Sequence, residues 1–259
     1  MVNMFMFIKK LSKYLITYVL GQKPKVRHIW LGSLWGTKFT IDPRSNLSDL
    51  FGILREPHLQ RLLGKYLQPG DTVFDIGANT GFFTLLMSRL VGENGRVFAF
   101  EPIPETAESL SHHLKINSIS NVKLLVKGVT DNCGVTDFRV PDNGRNHSMA
   151  SMFWHKRDPN SVVIQAGTIV IDEDVELSDI NPKFIKIDVE GSEGVALKGM
   201  KQLVRRARPI LFLECSDIGR QQTWDIMRSL GYSCFDVGKE GRKVSEYAKY
   251  RHSDYIWIP

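Results

Sequence analysis

Hydrophobic positions along most of the chain alternate between two spacings. From residue 71 onward, short apolar runs of four or five residues are separated by longer stretches in which apolar residues recur every three or four positions. The short runs predict β-strands and the longer stretches predict helices. The predicted strands cover 72–76, 96–100, 122–126, 184–187, 209–213, 232–236 and 255–258, and the predicted helices cover 80–90, 104–117, 192–205 and 219–230. This alternation predicts an α/β fold with a mostly parallel sheet and helices on both of its faces.

The residues before this region form three further predicted segments. Apolar residues at helical spacing predict an amphipathic helix over 1–20, and the runs at 28–31 and 38–41, with Gly32 between them, predict a short hairpin. Helical spacing returns over 46–67, where Pro57 is compatible with a break or a bend. We therefore divide the chain into an N-terminal helix and hairpin, 1–45, and a main domain, 46–259.

The region 134–175 departs from the alternating pattern of the main domain. Two β-like runs, 135–140 and 162–171, flank a polar loop over 141–160 that contains His147 and His155. Long polar loops held on a rigid scaffold often carry function. We interpret 134–175 as an insertion on the substrate side.

The net charge and the cysteine content indicate which binding partners and which cellular compartment to expect. The 259-residue chain has a formal net charge of +6, but its basic residues are scattered and form no long run interleaved with aromatics. We therefore expect no functional nucleic-acid surface. Three cysteines without a CxxC motif indicate a reducing compartment, which predicts a cytoplasmic protein.

Two roles are open for the N-terminal segment. Lys9, Lys10 and Lys13 interrupt the apolar residues of 1–20, so no stretch has the length of a membrane span. The helix could pack on its own domain or on a sister subunit, which would make the protein a homo-oligomer. It could instead lie on a membrane surface through its basic amphipathic face.

The strongest local signal is VFDIGANTG at residues 73–81, where a predicted strand runs into a glycine loop and then into a helix. Gly77 and Gly81 would let the backbone approach a ligand closely, and the helix that follows presents unpaired N–H groups. Asp75, near the strand end, can accept hydrogen bonds or pair with a cation. A pair of glycines alone is also compatible with an ordinary turn between a strand and a helix.

A carboxylate at the end of the next strand supports a nucleoside site. The run FAFEP at 98–102 places Glu101 beside the first loop, where an acid can hold both hydroxyls of a ribose. A nicotinamide cofactor would suit this spacing almost as well, but the loop lacks GxGxxG. It also lacks the lysine of a phosphate-binding P-loop.

A third motif, KIDVEGSE at 186–193, concentrates carboxylates where a strand meets a helix. Glu193 has a simple structural role in the first helical turn, where an acid favours the helix dipole. Asp188 and Glu190 come at the carboxyl edge of the sheet, where open α/β sheets bind ligands. We expect at least one of them to face the active site.

Taken together, VFDIGANTGFF, VFAFEPIP, KIDVEGSE followed by ALKGM, and PILFLEC resemble the FkbM-type family of S-adenosylmethionine-dependent methyltransferases. The resemblance covers roughly residues 71–259. It implies a Rossmann-like class I methyltransferase fold with a seven-stranded sheet, here with an N-terminal helical extension.

The resemblance also implies roles for individual residues around S-adenosyl-L-methionine. Asp75, Gly77, Asn79 and Gly81 would line the methionine end of the cofactor, and Asp188 would lie beside it. Glu101 would bind the ribose. Gly128 and Val129 would lie near the adenine.

Methyl transfer to a hydroxyl benefits from a general base. The candidates are His147, His155, Asp188 and Glu190, with Glu214 as a further acid at a strand end. Asp188 with Glu214 or Asp217 could instead bind Mg²⁺. A salt bridge or a helix cap explains the same acids, so we assign no metal-ligating residue.

The acceptor is expected to be a small molecule or a peptide. Family resemblance favours a hydroxyl of a sugar or of another secondary metabolite. An amide or a carboxyl acceptor is the near alternative. An oxidoreductase on the same sheet, or a module that binds the cofactor without turnover, would be the remaining alternatives.

Overall fold

The computed structural model describes residues 23–41, 50–141, 161–215, 219–238, 241–247 and 254–259. The chain separates into two compact units, Met1–Pro57 and His58–Pro259, which are described separately below. The helix predicted over 1–20 lies outside the described residues. So does the boundary predicted between residues 45 and 46.

The N-terminal unit contains the predicted hairpin. Strand β1, Lys25–His28, pairs antiparallel with β2, Lys38–Ile41, and a short 3-10 helix follows at Gly52–Leu54. The first strand begins and ends three residues earlier than predicted. A small core of buried side chains supports the hairpin: Ile29, Leu34, Phe39 and Ile41.

The second unit alternates strands and helices as predicted. Its helices are α1 Pro57–Tyr66, α2 Phe82–Val91, α3 Pro104–Ile116, α4 Glu193–Lys198, α5 Lys201–Ala207 and α6 Arg220–Ser229. Its strands are β3 Thr72–Ile76, β4 Arg96–Phe100, β5 Val122–Leu125, β6 Gly128–Val129, β7 Gly134–Pro141, β8 Ser161–Ile169, β9 Phe184–Ile187, β10 Ile210–Glu214, β11 Ser233–Asp236, β12 Arg242–Val244 and β13 Asp254–Ile258.

Of the two alternatives at Pro57, the structure shows the break. Helix α1 begins at this proline, and a separate 3-10 helix lies shortly before it. Proline suits the first position of a helix because its fixed φ is helical and because the N–H that it lacks would have no partner there.

The large sheet has the strand order β12-β11-β13-β10-β9-β3-β4-β5. The central pairs β10·β9, β9·β3, β3·β4 and β4·β5 are parallel, while β13 pairs antiparallel with both β10 and β11. The predicted mostly parallel sheet is therefore confirmed. The structure adds an eighth strand, β12, at one edge, beyond the seven that the resemblance implied.

The direction in which successive strands are added to the sheet reverses at β3. One half of the sheet grows from β3 to β4 and β5, and the other grows from β9 to β10. Because parallel crossovers are right-handed, α2 and the pair α4 and α5 cover opposite faces. A crevice opens at the carboxyl ends of the strands at such a reversal point.

The core of this unit lies around the central strands. Phe74 of β3 packs edge-on against Phe98 and Phe100 of β4, with ring centroids 5.4 and 5.7 Å apart. All four residues of β9 are buried. A strand covered on both faces carries apolar residues at consecutive positions, which explains why these strands appear in the sequence as largely apolar runs.

The region 134–175 contributes strands β7 and β8 to a second, three-stranded sheet with the order β6-β8-β7, and the third strand, β6, comes just before this region. Strands β7 and β8 pair antiparallel along their whole length, from Gly134 opposite Thr168 to Pro141 opposite Ser161. The two β-like runs are thus confirmed as a hairpin. The polar loop between them, from 142 to 160, lies outside the described residues.

Candidate functional site

A cleft opens at the carboxyl ends of β3, β4 and β9, beside the point where the strand order reverses. It holds about 600 Å³ of space, part of it open to solvent. The cleft is lined by three groups of residues, namely the ends of β3 and β4, the segment around β6, and the turn after β9.

The glycine loop between β3 and α2 forms one wall of the cleft. The N–H groups of Gly77 and Ala78 both donate to the carbonyl of Phe100, which ties the loop to the end of β4. Nδ1 of the buried His113 lies 2.8 Å from the carbonyl oxygen of Thr80, so helix α3 holds the other end of the loop. The loop is therefore fixed before any ligand binds.

The two loop glycines are required by the protein's own packing. Gly77 has φ +78°, and a Cβ there would lie 1.9 Å from the carbonyl oxygen of Asp188. Gly81 has φ +94°, and a Cβ there would lie 2.2 Å from Leu110 of α3. Gly77 thus lets the loop after β9 approach the loop after β3, which brings the two motifs to one cleft.

Glu101 lies at the end of β4 and lines the cleft. Its Oε2 accepts the N–H of Asn79 at 2.9 Å, and its Oε1 accepts the N–H of Ile103 at 3.0 Å. Burial raises the pKa of this carboxyl to about 7, against the opposing effect of the two backbone N–H donors. The two hydrogen bonds fix the orientation of the carboxylate next to the glycine loop.

Lys186 of β9 is the centre of a buried ion cluster. Its Nζ lies 3.5 Å from Oδ1 of Asp75 and 3.1 Å from Oδ2 of Asp188, and it donates to the carbonyl of Gly77 at 3.2 Å. Asp75 is fully buried, and its Oδ2 accepts a hydrogen bond, at 2.6 Å, from the hydroxyl of Thr84. One ammonium group thus connects the strand before the glycine loop to the acid after β9.

Asp188 and Glu190 both line the cleft on the side of β9. Burial and the neighbouring Asp188 raise the pKa of Glu190, while Lys186 lowers it. Glu190 has φ +50°, and Asn79 across the cleft has φ +53°. Left-handed backbone at residues other than glycine is strained, and such strain concentrates at functional sites.

The segment around β6 closes the opposite end of the cleft. Gly128 and Val129 line it, together with Phe138 from β7 and Pro102. A Cβ on Gly128 would lie 2.8 Å from the Phe138 ring, so the glycine leaves room for this aromatic side chain. This end of the cleft therefore offers a flat ring and apolar surface.

The structure brings most of the predicted site residues to one cleft. Of those named from the sequence, Gly77, Asn79, Glu101, Gly128, Val129, Asp188 and Glu190 line it. Asp75 and Gly81 are buried behind it, where Asp75 orients Lys186 and Gly81 packs on Leu110. His147, His155 and Asp217 lie outside the described residues.

Sequence reasoning gave no role to Phe138 and Ser192, which line the cleft, or to Lys186, which pairs with Asp188 of the lining. Lys186 is a lysine inside an apolar strand, and lysine is almost never fully buried without a partner, so this position was a usable signal. Phe138 and Ser192 gave no such local signal. The Ser192 hydroxyl is buried and has no hydrogen-bond partner among the described residues.

Among the described residues, no group of three or more His, Cys, Asp or Glu side chains is arranged to hold a metal ion. In the same part of the chain, no helix has both the length and the apolar character needed to cross a membrane.

The sequence matches one family model over more than half of its length. The model is described as the methyltransferase FkbM domain, and it matches residues 75–234. That range includes the glycine loop, Glu101, the three-stranded sheet and the whole KIDVEGSE motif.

The curated relatives include two kinds of methyltransferase. The chain is 28% identical over 170 residues to the hexuronic acid methyltransferase AglP of Haloferax volcanii, covering 64% of this chain and 65% of that protein. It is 33% identical over 72 residues to a protein-L-isoaspartate O-methyltransferase of Fervidobacterium nodosum, covering 27% and 36%. The chain thus spans about a third to just under two thirds of the length of these relatives.

A solved structure also aligns with the chain. The methyltransferase FkbM from Methylobacillus flagellatus KT is 18% identical, with a TM-score of 0.47, and the alignment covers 80% of this chain and 60% of that one.

Proposed function

The chain belongs to the FkbM family of S-adenosylmethionine-dependent methyltransferases, and we propose that it methylates a hydroxyl group of a sugar or of another secondary metabolite. The similarity to a hexuronic acid methyltransferase over 170 residues is the observation that carries the choice of a sugar.

The residues of the cleft fit S-adenosylmethionine. Glu101 presents a carboxylate, fixed by two backbone N–H donors, to the ribose hydroxyls. Phe138 and the backbone of Gly128 and Val129 would accommodate the adenine, and Asn79 and Gly77 would contact the methionine end. The buried hydroxyl of Ser192 also lines this cleft without a protein partner among the described residues, as expected for a ligand contact.

The charge of the cleft suits a cationic cofactor and an uncharged acceptor group, such as a hydroxyl. The lining carries the acids Glu101, Asp188 and Glu190 against one lysine, Lys127. A sulfonium is stabilised by nearby carboxylates, whereas an anionic carboxylate acceptor would be repelled by them. This electrostatic balance favours a hydroxyl over a carboxyl acceptor.

The bound cofactor supplies a methyl group that its sulfonium already activates, so the protein must align the acceptor and receive its proton. Glu190 is the better placed base, because burial and Asp188 raise its pKa and so strengthen its hold on a proton. Asp188, paired with Lys186, would orient the acceptor hydroxyl. His147 and His155 stay alternative bases from the polar loop.

A labelling experiment tests the acceptor class. The protein is incubated with methyl-labelled S-adenosylmethionine and an oligosaccharide that ends in a hexuronic acid. A methyl ether on a hydroxyl survives mild alkali, whereas a methyl ester on the carboxyl group is released as methanol. We expect alkali-stable label. The same oligosaccharide with its carboxyl group reduced to an alcohol should still be labelled, and alkali-labile label would contradict the hydroxyl proposal.

The raised pKa of Glu101 predicts a pH-dependent affinity for S-adenosylhomocysteine. The ribose hydroxyls donate to the ionised carboxylate, and with a pKa of about 7 its ionised fraction rises from about a tenth at pH 6 to about nine tenths at pH 8. The affinity should therefore increase about tenfold over this range. Isothermal titration at several pH values measures it.

The control for this prediction is a second carboxyl with a similar pKa. Burial raises the pKa of Glu193 to about 7 as well, but Glu193 does not line the cleft. Glu193→Gln should keep the pH dependence of the affinity, whereas Glu101→Gln should bind weakly and show no such dependence. A flat profile in the unaltered protein would remove Glu101 from the ribose site.

A further inference from the structure

The positive charge of the chain is concentrated in its N-terminal unit. Residues 1–57 contain nine Lys and Arg residues against three Asp and Glu residues, a formal charge of +6. This equals the net charge of the whole chain, so the 202 residues of the methyltransferase unit are neutral overall. The excess charge that looked scattered along the sequence therefore belongs to one compact unit.

The same unit exposes a cluster of large apolar side chains. Trp30, Leu31 and Trp35 lie in the connection between β1 and β2, and Ile53 and Leu54 lie in the 3-10 helix; each of the five is 48–70% exposed. We call these five residues the tip patch. An exposed cluster of this kind commonly marks an interaction site.

The two parts of the tip patch are in contact. The Trp30 ring packs edge-on against the Phe51 ring, with their centroids 5.6 Å apart. The backbone N–H of Trp30 donates to the carbonyl of Leu50. A Cβ on Gly32 would lie 2.9 Å from the backbone nitrogen of Ile53. The connection between the strands and the 3-10 helix therefore form one continuous surface.

The tip patch is exposed although the connection that carries it is folded and hydrogen-bonded. Leu34 and Ile29 are buried beneath the connection, and the Ile29 N–H donates to the carbonyl of Thr37. Nδ1 of His28 lies 2.8 Å from the carbonyl oxygen of Gly36. The hairpin thus buries its own apolar residues while Trp35, at 70% exposure, remains outside.

We propose that this unit binds the protein to an anionic lipid surface, with the tip patch inserted at the boundary between headgroups and acyl chains. Tryptophan favours that boundary because its ring is apolar and its N–H is polar. Lysines next to an anionic membrane each add attraction. This inference does not depend on the acceptor. Residues 23–57 alone contain six Lys and Arg residues against three Asp and Glu residues, a formal charge of +3, and the lysines of the segment 1–20 supply the rest of the +6.

The chemistry of the patch favours lipid over the other partners. Leu31, Ile53 and Leu54 cannot hydrogen-bond to bases or phosphates, so a nucleic acid would leave most of the patch unused. Two copies that met through this unit would bring two charges of +6 together, which like-charge repulsion opposes. An anionic bilayer satisfies both the apolar surface and the positive charge.

Vesicle flotation of the full chain tests the proposal. The protein is mixed with vesicles of phosphatidylcholine alone or with about a third phosphatidylglycerol, at low and high salt. We expect flotation with the anionic vesicles that weakens as salt screens the charges. The double variant Leu31→Ser, Trp35→Ser should partition at least tenfold more weakly, as should Lys23→Glu, Lys25→Glu.

Matched variants in the second unit provide the controls. Val175 is 89% exposed, and Lys65 and Lys115 are exposed lysines, so Val175→Ser and Lys65→Glu, Lys115→Glu make comparable changes elsewhere. They should float like the unaltered protein. Thermal melting of all variants checks that each is folded.

Three results would overturn the proposal. The first is a folded protein that floats with neither kind of vesicle. The second is a dimer in light scattering that the double variant Leu31→Ser, Trp35→Ser dissociates, which would assign the patch to a second copy. The third is tight binding to an RNA oligonucleotide without flotation, which would assign the charge to nucleic acid.

Discussion

Replacing Lys186 with methionine is expected to lower the free energy of unfolding by about 3 to 5 kcal/mol, the loss typical of breaking a buried ion pair from one side. The Lys186 side chain is 3% exposed, and its Nζ lies between the carboxylates of Asp75 and Asp188. Without it, the fully buried Asp75 would keep only the Thr84 hydroxyl as a hydrogen-bond donor. Urea denaturation measures the change.

Two further variants identify the cause of this loss. Adding Asp75→Asn to Lys186→Met removes the uncompensated charge and should recover part of the stability. Lys183 is exposed and lies directly before the same strand, so Lys183→Met should change the free energy by about 0.5 kcal/mol or less. A Lys186→Met protein as stable as the unaltered one would refute the ion cluster as a structural element.

Asp188→Asn and Glu190→Gln are expected to reduce turnover by about a hundredfold to ten-thousandfold, the effect of losing a proton acceptor or an orienting carboxylate. Both changes preserve shape, and Glu101, which would bind the ribose, is left intact. Affinity for S-adenosylhomocysteine should therefore stay within about threefold, or ~0.7 kcal/mol. Single-turnover methylation assays and binding titrations separate the two quantities.

The competing account gives these acids only a structural role next to the helix that begins at Glu193. Under that account the variants would lose roughly 1 kcal/mol of stability and keep their rate. Glu193→Gln serves as the matched control, because Glu193 belongs to the same motif but is fully buried outside the cleft lining. The Glu193→Gln change should alter the melting temperature more than the rate of methyl transfer. If Asp188→Asn and Glu190→Gln behave the same way, the base must be sought at His147 or His155.

The sequence was sufficient to predict the alternating architecture of the second unit. Its central parallel strands are covered on both faces, so they appear as largely apolar runs, and β3, β4 and β9 are each followed directly by a glycine or an acid. The carboxyl ends of parallel strands meet at one edge, which is why Glu101 and Asp188 could be assigned to the same region before the fold was known.

The role of the buried ion cluster could not be predicted in the same way. Lys186 meets Asp75 and Gly77 across 111 and 109 positions of sequence, and the contact depends on which strands are neighbours. Gly77 was expected to make room for a ligand, yet its missing Cβ also makes room for the Asp188 carbonyl. Local spacing carries no information about such a contact between two loops.

The sequence pattern also failed to predict one short polar strand. Strand β12, Arg242–Val244, is three residues long and lies at the edge of the sheet, with only Val244 buried. Two of its three residues are basic, as is common for an edge that must not pair with another chain. Neither an apolar run nor a clear alternation marks it in the sequence.

Calorimetric titration of the protein with S-adenosylhomocysteine and, separately, with NAD tests the central claim most directly. The claim is that the cleft between the glycine loop, Glu101 and the loop after β9 holds the cofactor of a methyltransferase. It predicts that S-adenosylhomocysteine binds in the micromolar range, about 8 kcal/mol of binding free energy, and that NAD does not bind measurably. Binding of NAD without binding of S-adenosylhomocysteine would contradict it.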